Sequence, residues 1–130
     1  MHYLNKVMLI GNVCSEINFF ESNGYPRANV RMATNRTWKD KQGVKKTEAE
    51  YHEVIAWGGL ARLCQEKLHI GKSLFVEGYL KTRAYEKDGV KRYQTEIVME
   101  NMIMLSKEDA TQLQEDSMGD PAAELEAVGV

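Results

Sequence analysis

An all-β barrel of five strands with one short helix is the fold this sequence predicts, on three observations. Apolar and polar residues alternate with a period of two through several segments, and Gly, Asn or Asp marks the reversals between them. Helical spacing occurs once, between the third and fourth of these segments. The length, 130 residues, suits one domain with one core.

Residues 5–13, Asn-Lys-Val-Met-Leu-Ile-Gly-Asn-Val, hold a β-rich apolar run that suits a first strand buried on both faces. Asn23-Gly24-Tyr25-Pro26 supplies a hairpin turn, after which Ala28, Val30 and Met32 alternate with Asn29, Arg31 and Ala33 in a half-buried second strand. Residues 35–48 have no clean period and carry five bases against two acids, so they read as a long basic loop that contains Trp38. In the third strand, residues 50–57, Tyr51, Glu53, Ile55 and Trp57 share one parity while His52, Val54 and Ala56 share the other.

Gly58-Gly59 ends that strand, and Leu60, Leu63, Cys64 and Leu68 follow at helical spacing, with Gly71 expected as the cap. The fourth strand, residues 73–85, turns Leu74, Val76 and Leu80 to one side and Phe75, Glu77, Tyr79, Lys81, Arg83 and Tyr85 to the other. Asp88-Gly89 is a hairpin turn, and residues 92–105 return as the fifth strand. Three strands, a helix, then two long strands is the order of the OB fold, a partly open Greek-key barrel that commonly binds oligonucleotides or oligosaccharides. Beyond residue 107 the chain is acidic and lacks aromatics, so a disordered tail over 108–130 is expected to follow a folded domain over 1–107.

The formal net charge of −2 hides a segregation. All 17 Lys and Arg lie in residues 1–107 with 12 of the 19 acids, a net of +5, whereas residues 108–130 carry seven acids and no base. The longest apolar runs, such as 7–10 and 102–105, have four residues, too short to cross a membrane as a helix, and the N-terminus lacks the pattern of a secretory signal. A cytoplasmic location with no membrane partner is the resulting expectation. Cys14 and Cys64 have no metal-ligand or redox spacing and read as free thiols. His2, His52 and His69 belong to no catalytic motif, and no phosphate-cradling loop is present, so neither catalysis nor a cofactor or metal is expected. A nuclease built on Glu50 and Glu53 is disfavoured because the two point to opposite strand faces.

Aromatic residues interleaved with bases point instead to nucleic acid. Trp38 lies among Arg36, Lys39 and Lys41, with Lys45 and Lys46 close behind, and Tyr85 lies among Lys81, Arg83, Lys87, Lys91 and Arg92. A single strand offers flat bases to stack and phosphates that need a cationic track, which is the chemistry these residue types supply together. From the residues alone, Tyr51 and Trp57 stand open between base platform and half-buried core. His52 reads as a packed or subunit-contact side chain, and Phe75 and Tyr79 as contacts to another subunit or the barrel. Tyr3, Phe19, Phe20 and Tyr25 read as structural.

Five segments in register resemble the bacterial single-stranded DNA-binding protein family. They are residues 5–13; Ala33-Thr34 leading to Trp38-Lys39-Asp40; Glu50-Tyr51-His52-Glu53-Val54; residues 74–83, Leu-Phe-Val-Glu-Gly-Tyr-Leu-Lys-Thr-Arg; and residues 92–98, Arg-Tyr-Gln-Thr-Glu-Ile-Val. The resemblance implies an OB-fold homotetramer that wraps single-stranded DNA without strong sequence preference in replication, recombination and repair, associated with the bacterial nucleoid. It assigns base stacking to Trp38, Tyr51, Trp57 and Tyr85. It places His52 near a subunit contact and the first strand, around Asn5, Val7 and Leu9, at a dimer edge. Family members also carry an acidic tip ending in Asp-Asp-Ile-Pro-Phe that docks replication and repair enzymes. This chain ends Glu124-Leu125-Glu126-Ala127-Val128-Gly129-Val130 without that Pro-Phe, so recruitment of those partners is left open. A rival reading is an OB-fold primosomal adaptor acting mainly through protein contacts.

Overall fold

The computed structural model describes residues 1–106. Its elements are β1 (Val7–Val13), β2 (Asn18–Ser22), β3 (Tyr25–Lys39), β4 (Lys45–Trp57), α1 (Gly59–Lys67), β5 (Ser73–Lys87) and β6 (Val90–Met104). The acidic segment expected over 108–130 lies outside the described residues.

Strand pairing runs β1-β5-β6-β4-β3, and β1 closes the ring by pairing with β3 at Asn12 and Val13. The short β2 also pairs with β3, from Asn18↔Asn29 to Ser22↔Tyr25. Between Val13↔Met32 and Asn18↔Asn29, five steps along the β1–β2 segment pass three along β3, so the two are one barrel strand interrupted by an irregularity. On that count the barrel has five strands and the helix lies between the third and fourth, as the sequence predicts.

Alternation sends Ala28, Val30 and Met32 of β3, Val54 and Ala56 of β4, Leu74 and Val76 of β5 and Ile97 and Met99 of β6 into one buried cluster with Val13. Each large apolar side chain buried there contributes about 1.5–3 kcal/mol. Ala61, Cys64 and Leu68 join this cluster from α1 and its C-cap, with Leu60 and Leu63 packed beside it, and an Arg62–Glu21 ion pair of 2.6 Å ties the helix to β2. Two glycines permit the strands to approach. A Cβ at Gly11 would collide with the carbonyl oxygen of Ala33, and one at Gly78 with that of Val98, where β5 and β6 shift register. No helix among the described residues is long and apolar enough to cross a membrane.

Three expectations are corrected. Residues 35–48 are not a loop: β3 continues to Lys39 and β4 starts at Lys45, so the stretch is a hairpin with its turn at residues 40–44. Above the barrel both faces of this arm are largely solvated, so the alternation that betrays a half-buried strand is lost. Gly71 does not cap the helix. Leu68 is the C-cap in extended conformation, and Gly71, at φ +93°, shapes the turn into β5 and donates its N–H to Val13 O at 2.8 Å. The first strand is not buried on both faces: Val7 and Leu9 pack against the core, whereas Met8 and Ile10 between them are exposed, because that face of β1 has no layer over it among the described residues.

Candidate nucleic-acid interface

Because β1 runs antiparallel to both β3 and β5, the β3–β4 and β5–β6 hairpins rise past the same end of the barrel. Each arm has a face continuous with the barrel interior and a face continuous with its exterior. On the exterior face of the barrel wall, Trp57 stands directly across from Arg27, whose guanidinium lies 5.4 Å from the Trp57 ring centroid. Tyr25 stacks on the same indole, with centroids 5.7 Å apart and planes at 27°. Trp57 remains 40% exposed, so it is a surface platform and not core.

Glu96 connects this platform to the next. The residue is 7% exposed, and its carboxylate lies 3.4 Å from Arg83 Nε and 4.0 Å from Arg27 Nη2. Arg83 in turn lies 5.6 Å from the ring centroid of Tyr85, two residues along the same strand face. Trp57, Arg27, Glu96, Arg83 and Tyr85 therefore make one connected surface. A cation over an exposed ring contributes about 0.5–1 kcal/mol, enough to bias where the side chains sit before a ligand arrives. Farther up the β3–β4 arm, Arg31 lies 4.8 Å from the ring centroid of exposed Tyr51 and is held by Glu53 at 3.4 Å.

Trp38 is on the other face of that arm. It is half-buried, opposite Lys46 in the register and with Arg36 at 5.3 Å from its ring centroid. At the tip, Asp40 Oδ1 accepts hydrogen bonds from the N–H groups of Gln42 and Val44, both at 2.9 Å, and the fixed turn displays Lys39, Lys41 and Lys45. Lys81, Arg83, Lys87 and Arg92 share the exterior face of the β5–β6 arm with Tyr85. The expected stacking residues thus divide, with Tyr51, Trp57 and Tyr85 on exterior faces and Trp38 on an interior one.

Sequence reasoning passed over Tyr25, Arg27, Arg31 and Glu96, which join the site only through cross-strand register and the packing of side chains between strands. Tyr93 had a visible signal. Lys91-Arg92-Tyr93 repeats the base-x-aromatic spacing of Arg36–Trp38 and Arg83–Tyr85, and Lys91 Nζ lies 5.7 Å from the Tyr93 ring centroid.

The residues expected at subunit contacts lie on β1 and just before it, on β4 and on β5. Val7 and Leu9 pack against the core, while Met8 and Ile10 on the same strand are exposed. Asn5 pairs with β5 like a strand residue: its Nδ2 donates to Leu80 O at 2.8 Å and its Oδ1 accepts from Leu80 N–H at 2.9 Å. His52 Nε2 is hydrogen-bonded to Thr34 Oγ1 at 2.9 Å, and Phe75 and Tyr79 are half-buried on β5. Burial pushes the Cys64 thiol up to about 11, so it stays protonated and unreactive in the folded chain at neutral pH.

The family model described as "Single-strand binding protein family" matches residues 4–105. A relative from Xylella fastidiosa, "Single-stranded DNA-binding protein 1", is 43% identical over 110 residues, covering 82% of this chain and 81% of its own. One of the same name from Chlorobaculum tepidum is 39% identical, covering 82% of this chain and 68% of its own. Among solved structures, the "Plasmodium falciparum SSB complex with ssDNA" is similar at a TM-score of 0.75 and 28% identity, covering 82% of this chain and 98% of that one. A small single-stranded DNA-binding protein from Streptomyces coelicolor, at 22% identity and a TM-score of 0.63 over 77% of this chain and 93% of that one, shares the fold.

Proposed function

The chain belongs to the single-strand binding protein family, and from that premise we propose how its barrel holds single-stranded DNA, as a sequence-independent binder acting in replication, recombination and repair. The observation that carries the reading is the set of cation-capped aromatic rings displayed on the barrel wall and both arms. Trp38, Tyr51, Trp57 and Tyr85 stack bases. Every base has a π-face, so this grip tolerates any sequence. Arg27, Arg31 and Arg83 already have carboxylate partners, so they orient rings. Phosphates fall to Arg36, Lys39, Lys41, Lys45, Lys46, Lys81, Lys87 and Arg92, for which no ion pair is formed among the described residues.

That division of labour has a measurable consequence. Lys39→Ala removes one phosphate contact, and the slope of log affinity against log salt becomes shallower by about 0.7 while affinity at high salt barely changes. Titration of a labelled dT oligonucleotide at several NaCl concentrations reads both quantities. An unchanged slope would remove Lys39 from the phosphate track.

The active form is a homotetramer. Two features support this. β1 pairs with β5 over Val7–Asn12 but with β3 only at Asn12 and Val13, which leaves one backbone edge of β1 without a strand partner among the described residues. Met8, Ile10 and Ile103 are also exposed apolar side chains on the outward face of β1 and β6, a surface suited to burial against further copies. In this arrangement Asn5, Val7 and Leu9 contribute through the strand edge, and His52, Phe75 and Tyr79 through side chains near the contact. Light scattering is expected to give a tetrameric mass, and Ile10→Glu a smaller one. A monomeric mass for the unaltered chain would remove the assembly. Bacterial cytoplasm, at the nucleoid, is the place where such a protein meets its ligand.

A further inference from the structure

Tyr93 is 65% exposed, more than Tyr51 or Trp57, and none of the roles above uses it. It sits opposite Ala84 in the β5–β6 ladder, and Lys91 sits opposite Glu86, two residues away on the same face. This is the face of the arm turned away from Arg83, Tyr85 and Arg92. The Ala84 methyl is too small to cover the ring. Lys91 Nζ lies over it at 5.7 Å, and although Glu86 stands across the ladder, no ion pair joins the two.

The same construction occurs on the β3–β4 arm. There Arg36 lies over Trp38, also without an ion pair, on the face continuous with the barrel interior. Thr82 and Thr95, with Oγ1 atoms 3.1 Å apart, lie on the Tyr93 face nearer the barrel, in line with inward-facing Leu80 and Ile97. Both arms leave the same end of the barrel, so each bears an aromatic ring with an unpaired cation on its interior face and an aromatic ring with an anchored Arg on its exterior face.

We infer that Tyr93 and Lys91 form a further nucleotide-binding position, the phenol ring stacking a base and the ammonium taking an adjacent phosphate, so that single-stranded DNA is gripped on both faces of the β5–β6 arm. This rests on the single-strand reading above. A strand held by Tyr85 on one face and Tyr93 on the other passes around the arm.

The test uses the full chain and a labelled dT oligonucleotide long enough to saturate it. Tyr93→Ala lowers affinity about fivefold or more at both low and high salt, Tyr93→Phe binds like the unaltered protein, and Lys91→Ala chiefly makes the salt dependence shallower, by about 0.7 in slope. Thermal melting of all three matches the parent because both side chains are exposed. Parent-like affinity of Tyr93→Ala would overturn the proposal while leaving the single-strand reading intact. A loss accompanied by a fall in oligomeric mass would overturn it too, since Tyr93 would then be a contact between copies. Absence of binding by the unaltered chain would instead overturn the reading beneath it.

Discussion

Trp57→Ala lowers affinity for a dT oligonucleotide by roughly 5- to 150-fold, and the loss persists at high salt. The range follows from about 1–3 kcal/mol per stacked base, at about 1.4 kcal/mol for each tenfold. Trp57 has the largest expected effect among the rings because it is where several contacts converge: Tyr25 stacks on it, Arg27 lies over it, and Arg27 shares Glu96 with the Arg83 that lies over Tyr85. Removing the indole therefore deletes one platform and frees Arg27 at the junction to the next. Persistence at high salt separates stacking from phosphate contact, since only the latter works through counterion release. Trp57→Phe keeps a π-face and retains most of the affinity. Fluorescence anisotropy across a salt series checks this, and a deficit that vanished at high salt would assign Trp57 an electrostatic role.

Gly78→Ala has the largest expected effect on the fold, a loss of about 3 kcal/mol, within the range for overpacked cores. The added methyl would run into the Val98 carbonyl oxygen, a backbone atom of the neighbouring strand that cannot swing aside as a side chain does. The site is also where β5 and β6 shift register between Glu77 and Gly78, so displacing β6 there disturbs the pairing on both sides. Val98 is itself aligned with Ile55 in the β4–β6 ladder, and the strain reaches the strand that carries Trp57. A urea melt reads the change as a lower midpoint. Gly59→Ala is the control: nothing lies within 4 Å of the added methyl and the residue is helical, so stability holds or rises slightly. Equal midpoints for Gly78→Ala and the parent would show that the ladder gives way without cost.

What the sequence disclosed, and what it withheld, follows from where each signal resides. Alternation in Ala28, Val30 and Met32 and in Val54 and Ala56 identified the barrel strands because one face of each is buried. The helix announced itself through the spacing of Leu60, Leu63, Cys64 and Leu68. The β3–β4 arm escaped because its residues have solvent on both faces and nothing to alternate about. β2 escaped because it is a short continuation of the first strand beyond an irregularity. Trp38 and Tyr85 stood out as aromatics among bases, whereas Tyr51 and Trp57 were singled out only through the family resemblance. The division of Trp38 from the other three between arm faces was not legible, since it depends on the extent of a hairpin that read as a loop. Glu96 was invisible for a different reason. Its role comes from two arginines on other strands that meet it only in the folded barrel.

Intrinsic fluorescence during titration with oligo-dT tests the central claim most directly, because the chain's two tryptophans, Trp38 and Trp57, are both assigned to base stacking. Stacked bases are expected to quench the emission of both residues in a saturable way, with the same stoichiometry at low and high salt. Emission that stays unchanged while an excess of oligo-dT is added at low salt would contradict the account.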